Sequence, residues 1–350
     1  MRGTFTLTIV VLFLVRSTGN CRSETLVPCY FIFGDSLYDV GNNNNLNTKA
    51  KANYLPYGID FPGGKPIGRF SNGRNFVDKI SELLGFENYI PPYSTAEGEE
   101  ILKGVNYASG SAGILKDTGT LLGENICMDK QIENHKNTIA KIGKLGQVSA
   151  NHSLEKCLYS INIGSNDFIN YFKPDDYNWS SIYNPDQFAD ALILQYTQQI
   201  KALYELGARR LALSGLGRIG CIPAELELYN ATECVPKINE AVDHFNAKLT
   251  SLIDSFNTTL PLAKFTLINL FSMQGMADFT GLITDKACCK LRSDYQCEIE
   301  SEPCELRNEY VFLDGYHTTQ AINDLSATMA FTLPVSLVVH PMSISQLITD

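Results

Sequence analysis

The chain has 350 residues and a formal net charge of −10 at neutral pH. This length is enough for one large α/β domain with a sizeable core, although length alone also permits two domains. An acidic chain without a basic patch repels phosphate backbones and anionic lipid surfaces, so nucleic acid is not expected as a partner. Neutral esters or carbohydrates fit this charge better.

Residues 1–20 are predicted to be a signal peptide. Arg2 provides a positive charge, residues 7–15 form a short apolar run, and Ser17 and Gly19 are small residues before a cleavage point. A transmembrane helix needs about 20 apolar residues, so this run is too short, and no later stretch qualifies. We therefore expect a secreted, extracellular domain over residues 21–350 with no integral membrane span.

Apolar runs and amphipathic stretches alternate along the rest of the chain. In chain order they predict a strand at 29–33, a helix at 75–84, a strand at 158–163, a helix at 184–206, a strand at 210–214, a helix at 238–256, a strand at 265–270 and a helix at 319–331. Repeated strand–helix units predict a single three-layer α/β/α domain with a mainly parallel sheet. Ligands of such sheets lie beyond the carboxyl ends of the strands. Residues 41–73 and 171–181 are predicted as long loops at the mouth of a cleft.

Several polar motifs stand where such a sheet would bring them together. Ser36 follows the first predicted strand, and Asp314 lies three residues before His317. A serine hydroxyl is a poor nucleophile until a base accepts its proton, and a histidine oriented by an aspartate is such a base. Gly110 and Asn166 are candidate hydrogen-bond donors to a developing oxyanion. The set predicts a serine esterase that acts through an acyl-enzyme.

Taken singly, each motif also has an ordinary structural explanation. Gly-Asp-Ser is a common turn, Asp314 and His317 are compatible with a surface pair in a loop, and Asn166 is compatible with a helix cap. The pattern G-x-S-x-G is absent from the chain, which argues against the ordinary α/β-hydrolase fold. The order of the motifs along the chain therefore carries more information than any one of them.

This order resembles the GDSL lipase/esterase family, the SGNH hydrolases, in its plant secreted branch. The matching segments are FGDSLYDVGNN, GVNYASGSAGI, INIGSND and VFLDGYHTTQA, and PYGIDFPGGKPIGRFSNGRNFVD also resembles that branch. The resemblance implies an SGNH-hydrolase-like fold with Ser36 as nucleophile, His317 as base and Asp314 as orienting group. It places the oxyanion donors at the backbone N–H groups of Ser36 and Gly110 and at the Asn166 amide. No metal or organic cofactor is expected.

The chain differs from the pattern usual in that family at several positions. Leu313 stands where tryptophan is usual, Thr318 where proline is usual, and Ser111 where a second glycine is usual, and the loop at 290–296 lacks the usual glycines. These differences bear on cleft shape and acyl preference. Two alternatives to the hydrolase are left open. One is an acyltransferase that uses the same site, and the other is a secreted binding or regulatory protein with little turnover. A small-molecule ester, a lipid or an acylated carbohydrate remains possible as substrate, and the oligomeric state remains open.

The ten cysteines agree with export. Cleavage after Gly19 keeps all ten in the mature chain, whereas cleavage after Cys21 leaves nine. A zinc site is the alternative for the C-terminal group, but the spacing lacks paired C-x-x-C units, so disulfides are favoured. The pair most expected to be bridged is Cys221 with Cys234. The C-terminal cysteines are Cys288, Cys289, Cys297 and Cys304, and the glycosylation sequons lie at Asn151, Asn178, Asn230 and Asn257.

Overall fold

The structure is a computed structural model that describes residues 24–145, 154–173 and 176–349. The expected signal peptide, Cys21 and the sequon at Asn151 lie outside the described residues. In the described residues, the strands are β1 (Tyr30–Gly34), β2 (Leu158–Asn162), β3 (Arg210–Ser214), β4 (Lys264–Ile268), β5 (Ile283–Ala287), β6 (Tyr310–Phe312) and β7 (Val339–His340). The helices there are α1 (Phe76–Leu83), α2 (Met128–Lys144), α3 (Ser165–Tyr171), α4 (Trp179–Ile182), α5 (Pro185–Glu205), α6 (Pro223–Leu228), α7 (Pro236–Thr259), α8 (Leu270–Ala277), α9 (Gln320–Thr332) and α10 (Ile344–Thr349).

The central sheet has the strand order β1-β2-β3-β4-β7. The first four strands are parallel, β7 pairs antiparallel to β4, and β5 and β6 form a separate parallel pair. Residues 103–109 run beside the outer edge of β1, where Ile32 donates to the Val105 carbonyl and Tyr107 donates to the Ile32 carbonyl. The carboxyl ends of β1, β2 and β3, together with the end of this flanking segment, therefore meet at one edge of the sheet.

Alternating side chains along each strand enter two different cores, as a strand period of two requires. Phe31 and Phe33 pack with side chains of α2, α5 and α7 on one face. Tyr30 and Ile32 pack with side chains of α1, α9 and α10 on the other face. Because helices cover both faces, the predicted three-layer α/β/α architecture with a mainly parallel sheet is confirmed.

The four helices and four strands that were predicted lie close to their predicted positions, with local differences at their ends. The strand predicted over 265–270 ends at Ile268, because the Asn269 side chain accepts a hydrogen bond from the Ser272 N–H and caps α8. The elements that were not predicted are helices α2, α3, α4, α6, α8 and α10 and strands β5, β6 and β7. None of the helices in the described part of the chain has the length and hydropathy needed to cross a bilayer.

Eight cysteines form four disulfide bonds. Cys221 is bonded to Cys234 as predicted, and the C-terminal group forms the pairs Cys288–Cys304 and Cys289–Cys297 rather than a zinc site. The fourth bond joins Cys29 to Cys157, which stand at the starts of β1 and β2. Within residues 24–145, 154–173 and 176–349 the one free cysteine is Cys127. Four disulfide bonds fit an extracellular protein.

Candidate active site

Ser36 lies just beyond the end of β1, where the chain turns sharply. The turn uses Gly34, whose φ of +149° is open mainly to glycine, and a β-carbon added there would stand 2.3 Å from the Asn162 carbonyl oxygen. Gln131 of α2 holds this turn, since its side-chain oxygen accepts from the Gly34 N–H and its amide donates to the Gly34 carbonyl, both at 2.8 Å. The Ser36 hydroxyl is thereby presented from a rigid strand end.

Ser36, His317 and Asp314 form a continuous hydrogen-bonded chain. The Ser36 Oγ lies 2.8 Å from His317 Nε2, and His317 Nδ1 lies 2.7 Å from Asp314 Oδ2 and 2.9 Å from Oδ1. An ionised carboxylate only accepts hydrogen bonds, so Nδ1 carries the proton and Nε2 accepts from the serine hydroxyl. His317 is 5 % exposed and Asp314 is fully buried, which limits competition from water.

Asp314 keeps its charge despite complete burial. Burial alone would raise the pKa of this carboxyl, but the electrostatic effect of the adjacent His317 and hydrogen bonds from His317 and Tyr57 lower it below its ordinary value. Oδ1 accepts from the backbone N–H groups of Tyr316 and His317, each at 2.8 Å. Oδ2 accepts from the Tyr57 hydroxyl at 2.5 Å, and that hydroxyl accepts from the Cys297 N–H at 3.1 Å.

A polar network attaches the glycine motif to the nucleophile segment. Asp39 is buried, and its carboxylate accepts from the N–H groups of Gly41 and Asn42 at 2.8 Å and from the N–H of Gly110 at 3.1 Å. Burial raises the pKa of Asp39 to about 6, although these donors act in the opposite direction. The Asn43 amide also donates to the Gly110 carbonyl at 3.0 Å. The short asparagine run after the nucleophile therefore positions the loop that faces it.

The predicted oxyanion donors differ in whether their N–H groups already have a hydrogen-bond acceptor. The Gly110 N–H already donates to Asp39, and Gly110 does not line the cavity at Ser36. Ser111 does line it, with a φ of +65°, and neither its N–H nor that of Ser36 has an acceptor among the described residues. The Asn166 side chain lines the cavity, and its amide donates one of its two hydrogens to the Ala112 carbonyl at 2.9 Å.

Asp167, next to Asn166, fixes the start of α3 against the glycine motif. Its buried carboxylate accepts from the N–H groups of Ile114 and Leu115 at 2.9 and 3.0 Å and from the Thr118 hydroxyl at 2.7 Å. Burial raises the pKa of Asp167 to about 6, against the effect of these donors. Asn166 is thus held between the end of β2 and the loop that follows the glycine motif, which Asp167 joins by hydrogen bonds.

A cavity of about 540 Å³ opens beside these groups. Ser36, Ser111, Asn166 and His317 line it, and most of its remaining wall is apolar. This volume is in the range of small-molecule sites in proteins. The Phe70 ring lies 4.8 Å from the His317 ring and closes one side of the imidazole. An ester with its carbonyl carbon at the Ser36 Oγ would find a base, hydrogen-bond donors and apolar walls within one cavity.

The described sequons differ in accessibility. Asn178 and Asn230 are exposed. Asn257 is half-buried, and its side-chain amide bonds both the N–H and the carbonyl of Phe265, at 2.8 and 3.1 Å. A glycan on Asn257 would have to break these bonds to β4.

Sequence reasoning missed three groups that support the site: Tyr57, Asp39 and Ser111. Tyr57 lies in the predicted loop 41–73, and nothing near it in sequence points to Asp314. Asp39 stands three residues after Ser36, which hints at a role in that segment, but nothing in the sequence points to its contact with Gly110. Ser111 was noted only as a departure from the family pattern, and its positive φ explains why glycine is usual there.

A hydroxyl that donates to an imidazole, which a buried carboxylate orients in turn, is the arrangement shared by serine hydrolases. Because the central sheet is mainly parallel, the chain falls among the serine hydrolases of the α/β fold class. It lacks the G-x-S-x-G motif of the nucleophile elbow, which separates it from the ordinary α/β-hydrolases. The class is therefore an α/β serine hydrolase whose candidate nucleophile, Ser36, lies near the start of the described chain.

Comparison with known proteins identifies the family. The model of the GDSL-like lipase/acylhydrolase family matches residues 30–328. One GDSL esterase/lipase of Arabidopsis thaliana is 44% identical, with 97% of each chain covered. Two others from the same plant are each 46% identical, with 93% of each chain covered. The chain belongs to the GDSL-like lipase/acylhydrolase family and is a carboxylic ester hydrolase of the esterase/lipase type, which confirms the predicted resemblance.

Proposed function

We propose that this protein hydrolyses carboxylic esters through an acyl-enzyme on Ser36. The observation that carries the proposal is the unbroken hydrogen-bonded chain from the Ser36 hydroxyl through His317 to the buried Asp314. His317 and Ser36 already lie within the distance at which a general base accepts a proton. No rearrangement of these side chains is needed before attack.

The reaction follows from this geometry. Ser36 Oγ attacks the ester carbonyl carbon while its proton passes to His317 Nε2, and Asp314 stabilises the imidazolium that forms. The carbonyl oxygen becomes an oxyanion in the tetrahedral intermediate. Nε2 then gives its proton to the departing alcohol oxygen, and the acyl group remains on Ser36. A water molecule, deprotonated by His317, attacks the acyl carbon and releases the carboxylic acid.

The oxyanion is held by the Ser36 N–H, the Asn166 amide and one N–H of the glycine motif. The resemblance to the family assigns this last donor to Gly110. In this chain the hydrogen bond from Gly110 to Asp39 favours the neighbouring Ser111 N–H, which has no acceptor among the described residues and lines the cavity. Fixed donors of this kind are effective because they need no reorganisation during the reaction.

We also propose that the protein is exported and glycosylated as a single domain over residues 21–350. Four disulfide bonds and two exposed sequons support this compartment. Lipids, simple esters and acylated carbohydrates are all compatible with the chemistry. Expression in plant or insect cells should yield extracellular protein that begins near residue 21, lacks free thiol at the bridged cysteines, and loses mass on deglycosylation. Protein retained in the cell with its amino terminus intact would contradict export.

The catalytic assignment is tested with a fluorophosphonate probe. Only an activated serine reacts quickly with such a probe, so peptide mapping should find the adduct on Ser36 alone. Ser36→Ala and His317→Ala should abolish labelling and ester turnover, whereas Ser251→Ala, at an exposed serine of α7, should behave as wild type. Folded protein that is not labelled would favour the alternative of a binding protein with little turnover.

Hydrolysis and acyl transfer differ only in what attacks the acyl-enzyme. The two are separated by adding glycerol or a sugar to one ester and measuring free acid against transferred ester. Water as the main acceptor is expected, because hydrolysis needs no second binding site. Dominant transfer at a modest acceptor concentration would replace the hydrolase with an acyltransferase on the same residues.

A further inference from the structure

A tyrosine in an unusual backbone conformation stands on one wall of the cavity at Ser36. Tyr295 has a φ of +63°, a region that glycine adopts readily and that a bulky side chain seldom enters. Tyr295 lines the cavity and is half-buried. A strained backbone conformation that persists at a cavity wall points to a role for the side chain that it presents.

The surrounding loop fixes Tyr295 in this conformation. Its N–H donates to the Arg292 carbonyl at 2.9 Å, and its carbonyl accepts from the Gly315 N–H at 2.9 Å. The Arg292 guanidinium donates to the Asp294 carboxylate at 2.7 and 3.0 Å and to the Gln296 side-chain oxygen at 2.7 Å. The residues on both sides of Tyr295 are therefore joined to each other, and the loop has little freedom to withdraw the ring.

A second tyrosine, Tyr316, connects this part of the cavity to the proposed base. Tyr316 also lines the cavity and is half-buried. Its ring centroid lies 5.9 Å from that of His317 and 6.2 Å from that of Tyr295, with angles of 64° and 84° between the ring planes. In the proposed reaction His317 Nε2 gives its proton to the departing alcohol oxygen, so the alcohol lies beside His317. The aromatic wall formed by Tyr295 and Tyr316 therefore begins where the alcohol leaves.

The aromatic wall combines apolar ring faces with polar groups that remain free. Among the described residues, none donates to or accepts from the hydroxyls of Tyr295 and Tyr316. Ser293 and Asp294, which precede Tyr295, also line the cavity. Because the Arg292 guanidinium balances the Asp294 charge, this part of the cavity suits an uncharged ligand with hydroxyl groups. A sugar ring has such hydroxyls at its rim and C–H groups on its faces, which pack against aromatic rings.

We propose that the aromatic wall binds the alcohol part of the substrate, and that this alcohol is an uncharged sugar ring, so that the preferred substrates are O-acylated sugars. This inference rests on the proposed esterase reaction, which places the departing alcohol beside His317. The bond that breaks joins the acyl carbon to a sugar oxygen, and that oxygen receives the proton from His317 Nε2. The sugar then leaves with a free hydroxyl, and the acyl group remains on Ser36 until water attacks it.

The first test compares acetates of primary alcohols: ethyl acetate, cyclohexylmethyl acetate, benzyl acetate and methyl 6-O-acetylglucopyranoside. The acyl group is the same and the leaving alcohols are similarly basic, so differences in kcat/KM report contacts with the alcohol part. The sugar ester should exceed cyclohexylmethyl acetate by about tenfold or more, because only the sugar hydroxyls form hydrogen bonds with the wall. An equal or lower kcat/KM for the sugar ester, or a higher one for benzyl acetate, would overturn the inference while leaving the esterase function intact.

The second test removes the Tyr295 ring without disturbing the loop. Glycine adopts a φ of +63° without strain, so the effect of Tyr295→Gly arises from the lost side chain. The ratio of kcat/KM for the sugar ester to that for ethyl acetate should fall by about tenfold. The matched control is Leu262→Gly, which also has a φ of +63°, is 84 % exposed, does not line the cavity and should leave the ratio unchanged. An unchanged ratio in Tyr295→Gly, or an equal fall in both variants, would place the alcohol elsewhere.

A binding measurement separates failure of the aromatic wall from failure of the reaction. In Ser36→Ala no acyl-enzyme forms, yet methyl glucopyranoside should still bind, as measured by saturation-transfer NMR. Tyr295→Gly in that background should weaken the binding by about tenfold. If wild type hydrolyses none of the acetates but this binding and its weakening are seen, the sugar site stands and the proposed reaction fails. If ethyl acetate is hydrolysed but methyl glucopyranoside does not bind, the sugar site fails and the reaction stands.

Discussion

Tyr57 supports Asp314 from a loop that carries no other group of the proposed triad. Its hydroxyl donates to Asp314 Oδ2 at 2.5 Å and is held by the Cys297 N–H. Burial and the neighbouring Asp314 charge raise the pKa of Tyr57 well above its ordinary value, so it remains a donor at all working pH values. Tyr57 does not line the cavity, and it acts on the reaction only through Asp314.

Tyr57→Phe should lower kcat by about tenfold with little change in KM, since a hydrogen bond to a charged group contributes about 1.5–3 kcal/mol. Without the donor the Asp314 carboxylate is more basic and holds the imidazolium more strongly, so the acid limb of the kcat/KM profile should move to higher pH. The control is Tyr54→Phe, whose hydroxyl donates to the Cys297 carbonyl rather than to Asp314. A wild-type pH profile in Tyr57→Phe would show that its role is only structural.

The oxyanion donors make a second prediction for single residues. Asn166→Ala should lower kcat by about 10²–10³ without unfolding the protein, because it removes one preorganised donor. Backbone donors are tested by replacing a residue with its α-hydroxy acid, which turns the N–H into an oxygen. This change at Ser111 should cost about 10² in kcat, and the same change at Gly110 should cost less. The reverse order would return the role to Gly110.

The disulfide-bonded loop between Cys289 and Cys297 is joined to Asp314 of the proposed triad through the Tyr57 hydroxyl. Its cysteines are 8 residues apart, whereas Cys221 and Cys234 are 13 apart. Loop-closure entropy depends only on the logarithm of loop length, so removing either bond should cost a similar free energy of unfolding, about 2–4 kcal/mol. Removal of the two bonds should affect activity differently, because only the loop between Cys289 and Cys297 is hydrogen-bonded to Tyr57.

The double variant Cys289→Ala/Cys297→Ala should therefore lose several-fold more kcat than Cys221→Ala/Cys234→Ala at matched stability. Thermal unfolding and ester turnover of the two variants, measured side by side below their transition temperatures, test this expectation. If the two variants lose kcat in proportion to their loss of stability, the loop has no separate effect on Asp314.

Elements with strong periodic signals were predictable from sequence, and elements defined by side-chain contacts were not. Helix 185–205 has an Asn184 cap, a proline in its first turn and a sustained apolar face, so it was predicted within a residue or two. Helix α8 follows β4 with only Asn269 between them, and the apolar residues on both sides of Asn269 hide that boundary. In the same way, Ser36, Asp314 and His317 carry a recognisable motif, whereas Tyr57 is 257 residues from its partner Asp314 and has no local signal.

Across the whole molecule, buried carboxyls make stability depend on pH. Burial raises the pKa of Asp35 and of Glu225 to about 7. Asp39 and Asp167 have their pKa raised to about 6 for the same reason. The folded state thus holds protons that the unfolded state has already released, so this stabilisation is complete at low pH and is lost as pH rises through 6 to 7. Burial lowers the pKa of His135 to about 3. This shift makes stability rise with pH, but only up to the ordinary pKa of histidine, about 6.5.

The melting temperature should therefore fall by a few degrees between pH 6 and pH 8. Asp35→Asn keeps an acceptor for the Leu37 N–H and removes one titrating group, so its melting temperature should depend less on pH over this interval. Scanning calorimetry in buffers of equal ionic strength makes the measurement. A melting temperature that rises from pH 6 to pH 8 would show that these carboxyls are ionised without penalty.

The proposed nucleophile, Ser36, and its proposed base, His317, are 281 residues apart in the chain. During synthesis, a growing polypeptide that has folded its first strands already displays Ser36, but it has neither His317 nor Asp314. Attack on an ester therefore becomes possible only when the segment around β6 and α9 has emerged and packed against the sheet. From this mechanism we expect a nascent or carboxyl-truncated chain to have no esterase activity, so the cell that makes this hydrolase would not be exposed to its activity until almost the entire protein exists.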